Sequence, residues 1–262
     1  MEVAVARAVV TRRVVPQPVI AWASVVVVLV AWEVLVRARG ISPLYLPGPI
    51  AILRSLIEQF RTGGLAFDCA LTLYRIFAGF AVAVVLGVLL GVWMATTPLV
   101  AGIADLFIAA LYPLPKITLI PLLMIWFGTG GGFMLTISAM GAFFPVVINT
   151  LLGVRQCDPG LVLAARDLGA SPRQVIARVL IPSAIPAIFA GMRLGLGVSI
   201  ILVVAAEMVV ARAGLGARLF LAGQVLDTEQ VFAVLVVLAA IGIVVGSGQD
   251  WLDARLARAH SS

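Results

Sequence analysis

Apolar positions in this chain fall in long unbroken runs, roughly residues 18–36, 74–97, 101–126, 132–153, 184–209 and 231–249. A helix needs about 20 apolar residues to cross the hydrocarbon core of a bilayer, so each run predicts one spanning helix, the last at the short end of the range. The runs are continuous rather than alternating, which favours helices over a closed barrel, and only those two structures satisfy a backbone inside lipid. Gly79, Gly87 and Gly91 of the second run allow a neighbouring helix to come close, although a GxxxG spacing such as Gly87–Gly91 is common in apolar sequence. Between the first two runs, LPGP (Leu46–Pro49) predicts a turn. Ile50, Leu53, Leu56, Ile57 and Phe60 then share one face of an amphipathic helix, with Arg54, Glu58 and Arg61 elsewhere, as in a helix resting on a membrane surface.

Two stretches break the pattern. The third run contains LYPLPKITLIPLLMIWF (Leu111–Phe127), where Pro113, Pro115 and Pro121 each remove a backbone donor and disturb the preceding turn. Such a segment persists at membrane depth only where it is buried in protein or lines a cavity. The second is LAARDLGASPRQVIARVLIP (Leu163–Pro182), a charged module between the fourth and fifth runs. Leu161–Leu168 predicts a short helix that Gly169 ends. Ser171, Pro172 and Gln174 form a capping box for a second helix to about Leu180, before Pro182, with an apolar stripe of Val175, Ile176, Val179 and Leu180. A rigid polar elbow of this kind suits docking to a cytoplasmic partner. Local physics alone leaves an ordinary loop with two interfacial helices equally open.

Composition agrees with a membrane solvent. Of the 262 residues 63% are hydrophobic and 11% charged, against about 45–50% and about 25% in soluble domains, and the mean hydropathy is +1.17. The expected organisation is one membrane domain, 18–249, carrying the loop 155–182, with a cytoplasmic N-terminal segment 1–17 and a cytoplasmic tail 250–262. Arg7, Arg12 and Arg13 precede the first run, but Arg37 and Arg39 follow it where a cleavage site would need small residues, so it is read as an uncleaved helix. The net charge of +6 comes from basic residues near helix ends, which fits contact with membrane lipid rather than with nucleic acid. With the N-terminus inside, inner segments hold nine arginines and outer ones six, or seven with Arg75, which favours both termini inside.

The chemistry on offer is sparse. Cys69 and Cys157 are far apart and the single histidine, His260, lies in the tail, so no metal site, disulfide framework or catalytic constellation is expected. Ionisable residues within spans are costly and often functional, which singles out Lys116, Arg193 and Glu207, with Arg75 and Glu33 near helix ends. Each has a plainer role open to it: Lys116 in snorkelling or interfacial pairing, Arg193 as a partner of backbone carbonyls, and Glu33 with Arg37 as an i,i+4 ion pair. Arg193 and Glu207 are too far apart to pair. Pro113, Pro115, Asn149 and Trp126 complete the candidate pathway residues, Trp126 also suiting an interfacial anchor. Lys116 and Arg193 point to an anionic solute.

The module at Leu163–Pro182 resembles the EAA loop of binding-protein-dependent ABC transporter permeases. Ala164, Ala165 and Gly169 match, and Val179, Ile181 and Pro182 follow at the family's spacing, while Leu163 stands where the family has glutamate. LPGP, TLYRIFAGF, YPLPKITLIPLLMIWFG, FFPVVINTLLGV, LIPSAIPAIFAGMRLGLG and AAEM look like the nitrate/sulfonate/taurine subgroup. The resemblance implies a type I, MetI-like permease fold in the inner membrane of a bacterium. It implies a pathway between two permease copies, in a homodimer. Two cytoplasmic ATPases would carry the ATP and Mg, and a periplasmic or lipid-anchored binding protein would deliver solute. It places the coupling helix on Leu163–Ser171, where Leu163 cannot supply the family's carboxylate. Backbone and shape would then carry the coupling, with Leu168 and Ala170 in the helix and Arg166 or Asp167 making the polar contacts. The chain has no phosphate-binding GxxxxGK[ST] loop, so ATP hydrolysis is expected elsewhere and the chain itself is no enzyme. An ion-gradient-driven secondary transporter is the alternative, although only one run is proline-broken where that class pairs two.

Overall fold

A computed structural model of the chain describes residues 17–260. Among these the structure is helical, with no strand: α1 (Gln17–Arg39), α2 (Pro49–Arg61), α3 (Leu65–Thr96), α4 (Pro98–Leu111), α5 (Ile120–Phe127), α6 (Gly131–Arg155), α7 (Pro159–Asp167), α8 (Pro172–Val175), α9 (Ile181–Val210), α10 (Leu215–Gln224) and α11 (Thr228–His260). Of the N-terminal segment 1–17, all but Gln17 lies outside the described residues, with Arg7, Arg12 and Arg13.

Helix α6 is the centre, packed between α3 and α9. Its most apolar window is 67% buried, against 17% for α11. The reason is small residues at the contact. A Cβ on Gly79 would stand 2.4 Å from the Ser138 Cβ, one on Gly87 2.9 Å from Val146 and one on Gly91 2.6 Å from Thr150, so the whole glycine face of α3 lies against α6. On the other side, Gly141 of α6 meets the Ser199 backbone and Gly195 of α9 meets the Ala142 backbone, each within 2.9 Å of a would-be Cβ. Hydroxyls tie the same seam: Ser138 donates to the Ile76 carbonyl at 2.8 Å and Ser199 to the Ser138 carbonyl at 2.7 Å. Phe133, Met134, Ile137 and Val203 fill the core between them.

Among the described residues four helices are long and apolar enough to cross a membrane, or five if the bent pair α4 and α5 counts as one span, where six were expected. The described part of α1 carries Glu33, Arg37 and Arg39 and is not among them. Helix α1 is loosely held, with Trp32 against Phe232 of α11 at 5.9 Å and Val25, Val26, Val27 and Val28 all exposed. The third run breaks as its prolines require, with a bend of 91° between Pro98–Leu111 and Lys116–Phe127. The amphipathic helix is α2, and Ile50, Leu53, Ile57 and Phe60 face outward. It buries Ile52 and Gln59 instead. Most of the apolar stripe thus faces the surroundings, as an interfacial helix needs, while Leu56 packs against the cluster around Leu65 and Leu215.

Two boundaries differ from expectation. Helix α8 does not stop near Leu180; it continues through a π turn, Ile176–Leu180, into α9, giving one run from Pro172 to Val210. The amide of Ile181 bonds back five residues to the Ile176 carbonyl, and this widened turn takes up Pro182, which has no N–H and would crowd an α-helical carbonyl four residues back. Helix α11 runs on unbroken to His260, while its membrane-length apolar part ends at Trp251. Helix α3 begins at Leu65 rather than 74. Its extra turns carry Asp68, Thr72 and Arg75, which sit on one helical face and find partners in a distant turn.

That turn joins α9 to α10 at the end of the bundle opposite α7. Glu207 is fully buried. Its carboxylate accepts from the Thr72 hydroxyl at 2.9 Å, Arg75 Nη1 at 2.6 Å and the Gly216 amide at 2.9 Å. Thr72 Oγ1 accepts from the Leu215 amide, and Arg75 also donates to the Ala213 carbonyl. Asp68 takes the Gly214 amide at 2.8 Å and Arg218 Nε at 2.7 Å. Gly214 has φ +114°, and a Cβ there would meet the Glu207 carboxylate at 2.5 Å, so only glycine fits. A buried carboxylate is tolerated when every lone pair is engaged in this way.

Gly87→Leu should destabilise the chain by about 1–3 kcal/mol through overpacking against Val146. Gly102→Leu, with open space around its Cβ, should leave thermal unfolding in detergent within about 0.5 kcal/mol of wild type. Glu207→Ala should cost about 3–5 kcal/mol by stranding Arg75. The Arg75→Ala/Glu207→Ala pair should cost less than the sum of its singles by about 0.5–3 kcal/mol, read from the same melts.

Candidate functional site

The charged module forms the elbow that local capping rules dictate. Asp158 caps α7, its carboxylate accepting from the Gly160 amide at 2.8 Å. The helix ends in a Schellman arrangement: the Ala170 amide bonds to the Ala165 carbonyl at 3.0 Å and the Gly169 amide to the Arg166 carbonyl at 2.9 Å. Gly169 has φ +84°, the left-handed region in which an L side chain is strained. Ser171 and Gln174 then complete the capping box, the Ser171 amide donating to Gln174 Oε1 at 2.8 Å. Ala164 and Ala165 keep this short helix slim.

The elbow projects from the bundle. Leu163 is 59% exposed and Leu168 89%, with Leu161 beside them at 55%. Arg166 and Asp167 are exposed, and neither forms an ion pair among the described residues. Pro182 is not in the projecting part; it lies inside the continuous helix beyond the π turn. Leu163 on α7 and Leu168 at its end are thus exposed, with the Arg166 and Asp167 charges between them.

The membrane-embedded candidates do not converge on one point within a single chain. Asn149 donates to the Pro145 carbonyl at 2.8 Å and packs against Gly191 between α6 and α9. Arg193 forms an ion pair with Asp250 of α11. Glu207 lies about 21 Å further along α9, in the buried knot with Arg75. Glu33 pairs with Arg37 at 2.6 Å and also accepts from the Ile50 amide at 3.1 Å, which anchors the start of α2. Trp126 is exposed at the end of α5. Pro113 and Pro115 lie in the break between α4 and α5, next to Lys116. The Lys116 ammonium lies 5.2 Å from the Tyr112 ring centre and 5.5 Å from that of Phe144, and donates to the Tyr112 carbonyl at 3.3 Å.

Asp68, Thr72 and Arg218 are not among the residues singled out from the sequence. The spacing of Asp68 and Thr72 on α3, at i and i+4 with Arg75 at i+7, was the available clue. Open space is largely apolar. A groove of about 750 Å³ runs between α2, α3 and α11 past Phe60, Phe77, Val244 and Trp251. A cavity of about 560 Å³ lies between α3 and α6 at Val82, Phe127, Thr136, Met140 and Phe144. Among the described residues, no group of three or more His, Cys, Asp or Glu is placed to hold a metal.

Comparison with known proteins agrees with this arrangement. Residues 83–258 match the family described as binding-protein-dependent transport system inner membrane component. The chain is 35% identical over 242 residues to the taurine transport system permease protein TauC of Escherichia coli (strain K12), covering 90% of this chain and 88% of that protein. It is 30% identical over 236 residues to the putative aliphatic sulfonates transport permease protein SsuC of Bacillus subtilis (strain 168), covering 90% and 86%. In fold it matches a chain of the MetNI methionine ABC transporter in an inward-facing conformation, with TM-score 0.55 and 22% identity over 80% of this chain and 98% of that one. The α3–α6–α9 bundle with its projecting elbow is therefore that of an ABC transporter permease, and the chain belongs to the family of binding-protein-dependent transport system inner membrane components.

Proposed function

We propose that this permease forms, with a second copy of itself, the pathway of an ATP-driven importer for a small organic oxyanion of the sulfonate kind. The observation that carries the coupling half of this reading is the elbow, with Leu168 89% exposed at the end of a fully capped α7. A rigid apolar knob outside the membrane is costly unless something covers it. An ATPase subunit seated on each copy would do so, binding ATP and Mg itself. With Leu163 in place of an acidic residue, the grip is made by Leu163, Leu168 and backbone, flanked by Arg166 and Asp167.

The named solutes of the relatives, taurine and aliphatic sulfonates, support the solute class. A binding protein would deliver the solute at the end opposite the elbow, where the Glu207 knot fixes the turn into α10 and a cavity of about 410 Å³ opens at Asp68, Arg212, Arg218 and Gln230. The excess of arginines on the elbow side supports placing that side, with both termini, in the cytoplasm of a bacterium whose inner membrane holds the complex.

The test is recovery of the ATPase with tagged permease from native membranes. Leu168→Asp should reduce it about tenfold or more, since burying one leucine contributes about 1.5–3 kcal/mol, while the permease still elutes as a folded species. Gly169→Asp should act in the same direction by straining the left-handed cap. Wild-type recovery from both variants would rule out the elbow as the grip. Uphill uptake by the chain alone in liposomes would instead favour a gradient-driven carrier.

A further inference from the structure

Among the described residues Lys116, like Asp105, lacks the ionic partner that the other singled-out charges of the bundle have. Glu33, Arg75, Arg193, Glu207 and Arg218 all have ionic partners within the chain. Lys116 has two aromatic rings and a carbonyl, and among the described residues no carboxylate lies within ion-pair distance of it, Asp105 of α4 included.

Its depth follows from its neighbour. Phe144 stands thirteen residues from Gly131 and eleven from Arg155, at the middle of the spanning helix α6. An ammonium near mid-membrane costs about 2.5–3.5 kcal/mol or more. Each cation–π contact returns about 0.5–1 kcal/mol at a partly exposed site, so two rings leave the charge undercompensated. The remaining side must therefore face water or an anion. Two features agree. The backbone of the span is broken immediately before Lys116, which is the arrangement tolerated where a cavity is lined. Phe144 also borders the open, largely apolar cleft of about 560 Å³ between α3 and α6, so there is room beside the ring.

We infer that Lys116 is the anion-recognising residue of the pathway: its ammonium pairs with a sulfonate-type oxyanion at mid-membrane, and the Tyr112 and Phe144 rings hold it in place between passages. This rests on the permease reading above. The rings explain how the site stays weak enough to release. They compete for the ammonium, so the anion is never its sole partner.

The experiment reads the local potential directly and needs neither ATPase nor binding protein. In the full chain, reconstituted in lipid nanodiscs with Cys69→Ser and Cys157→Ser, Ile117→Cys places a thiol one residue from Lys116 on an exposed position. The probes are two thiosulfonate reagents, one bearing a sulfonate and one a trimethylammonium. With Lys116 present, the sulfonate reagent should react faster than the cationic one, and methanesulfonate should slow it. Lys116→Gln should lower the ratio of the two rates about tenfold, and Lys116→Arg should retain it. An unchanged ratio in Lys116→Gln overturns the inference, as does a thiol that neither reagent reaches. If Lys116→Gln does not fold, absence of methanesulfonate protection in the Lys116 chain overturns it. Loss of ATPase recovery would bear on the permease reading and leaves these rates untouched.

Discussion

Lipid supplies no hydrophobic push between helices, so the bundle depends on how closely α6 can approach its two neighbours. Gly79, Gly87 and Gly91 bring α3 onto one side of it, and Gly141 and Gly195 bring α9 onto the other. At that separation, dispersion contacts accumulate along the whole seam, and serine hydroxyls reach carbonyls on the adjacent helix. The outer helices follow a different rule. Helix α1 and the outward face of α11 are exposed, and the valines, leucines and isoleucines there need only a hydrocarbon solvent or another chain.

Charge is handled by the same economy of partners. At the end opposite the elbow, Asp68, Arg75, Glu207 and Arg218 close a network with Thr72 and the backbone of residues 213–216. It fixes α3, α9 and α10 relative to one another, and its members serve the architecture of that end. Arg193 with Asp250 does the same for α9 and α11. Lys116 has no such duty, and it sits where the backbone is already interrupted.

What the sequence made legible was local. Gly169, Ser171, Pro172 and Gln174 specify the elbow because every bond that shapes it spans no more than about one and a half turns of chain. Four of the six apolar runs located spans and a fifth the bent pair α4 and α5, where Pro113 and Pro115 located the break. The Glu207 network was not legible, because its bonds from α3 reach partners 132 to 150 residues away in sequence. Without those partners, Asp68, Thr72 and Arg75 read as the polar margin of a loop and conceal the first turns of α3. Pro182 misled in the opposite sense. A proline normally marks the end of a helix, but a single bond to a carbonyl five residues back absorbed it.

That absorbed proline has a mechanical result. From Pro172 to Val210 the chain is one rod of 39 residues, about 58 Å at the usual helical rise. One end is seated at the elbow and the other at Glu207. A displacement imposed at Ser171 therefore has no joint at the membrane surface in which to dissipate. It arrives at the far mouth as tilt or rotation of a single strut, and only the widened turn at Ile176–Leu180 and Pro186 can soften it.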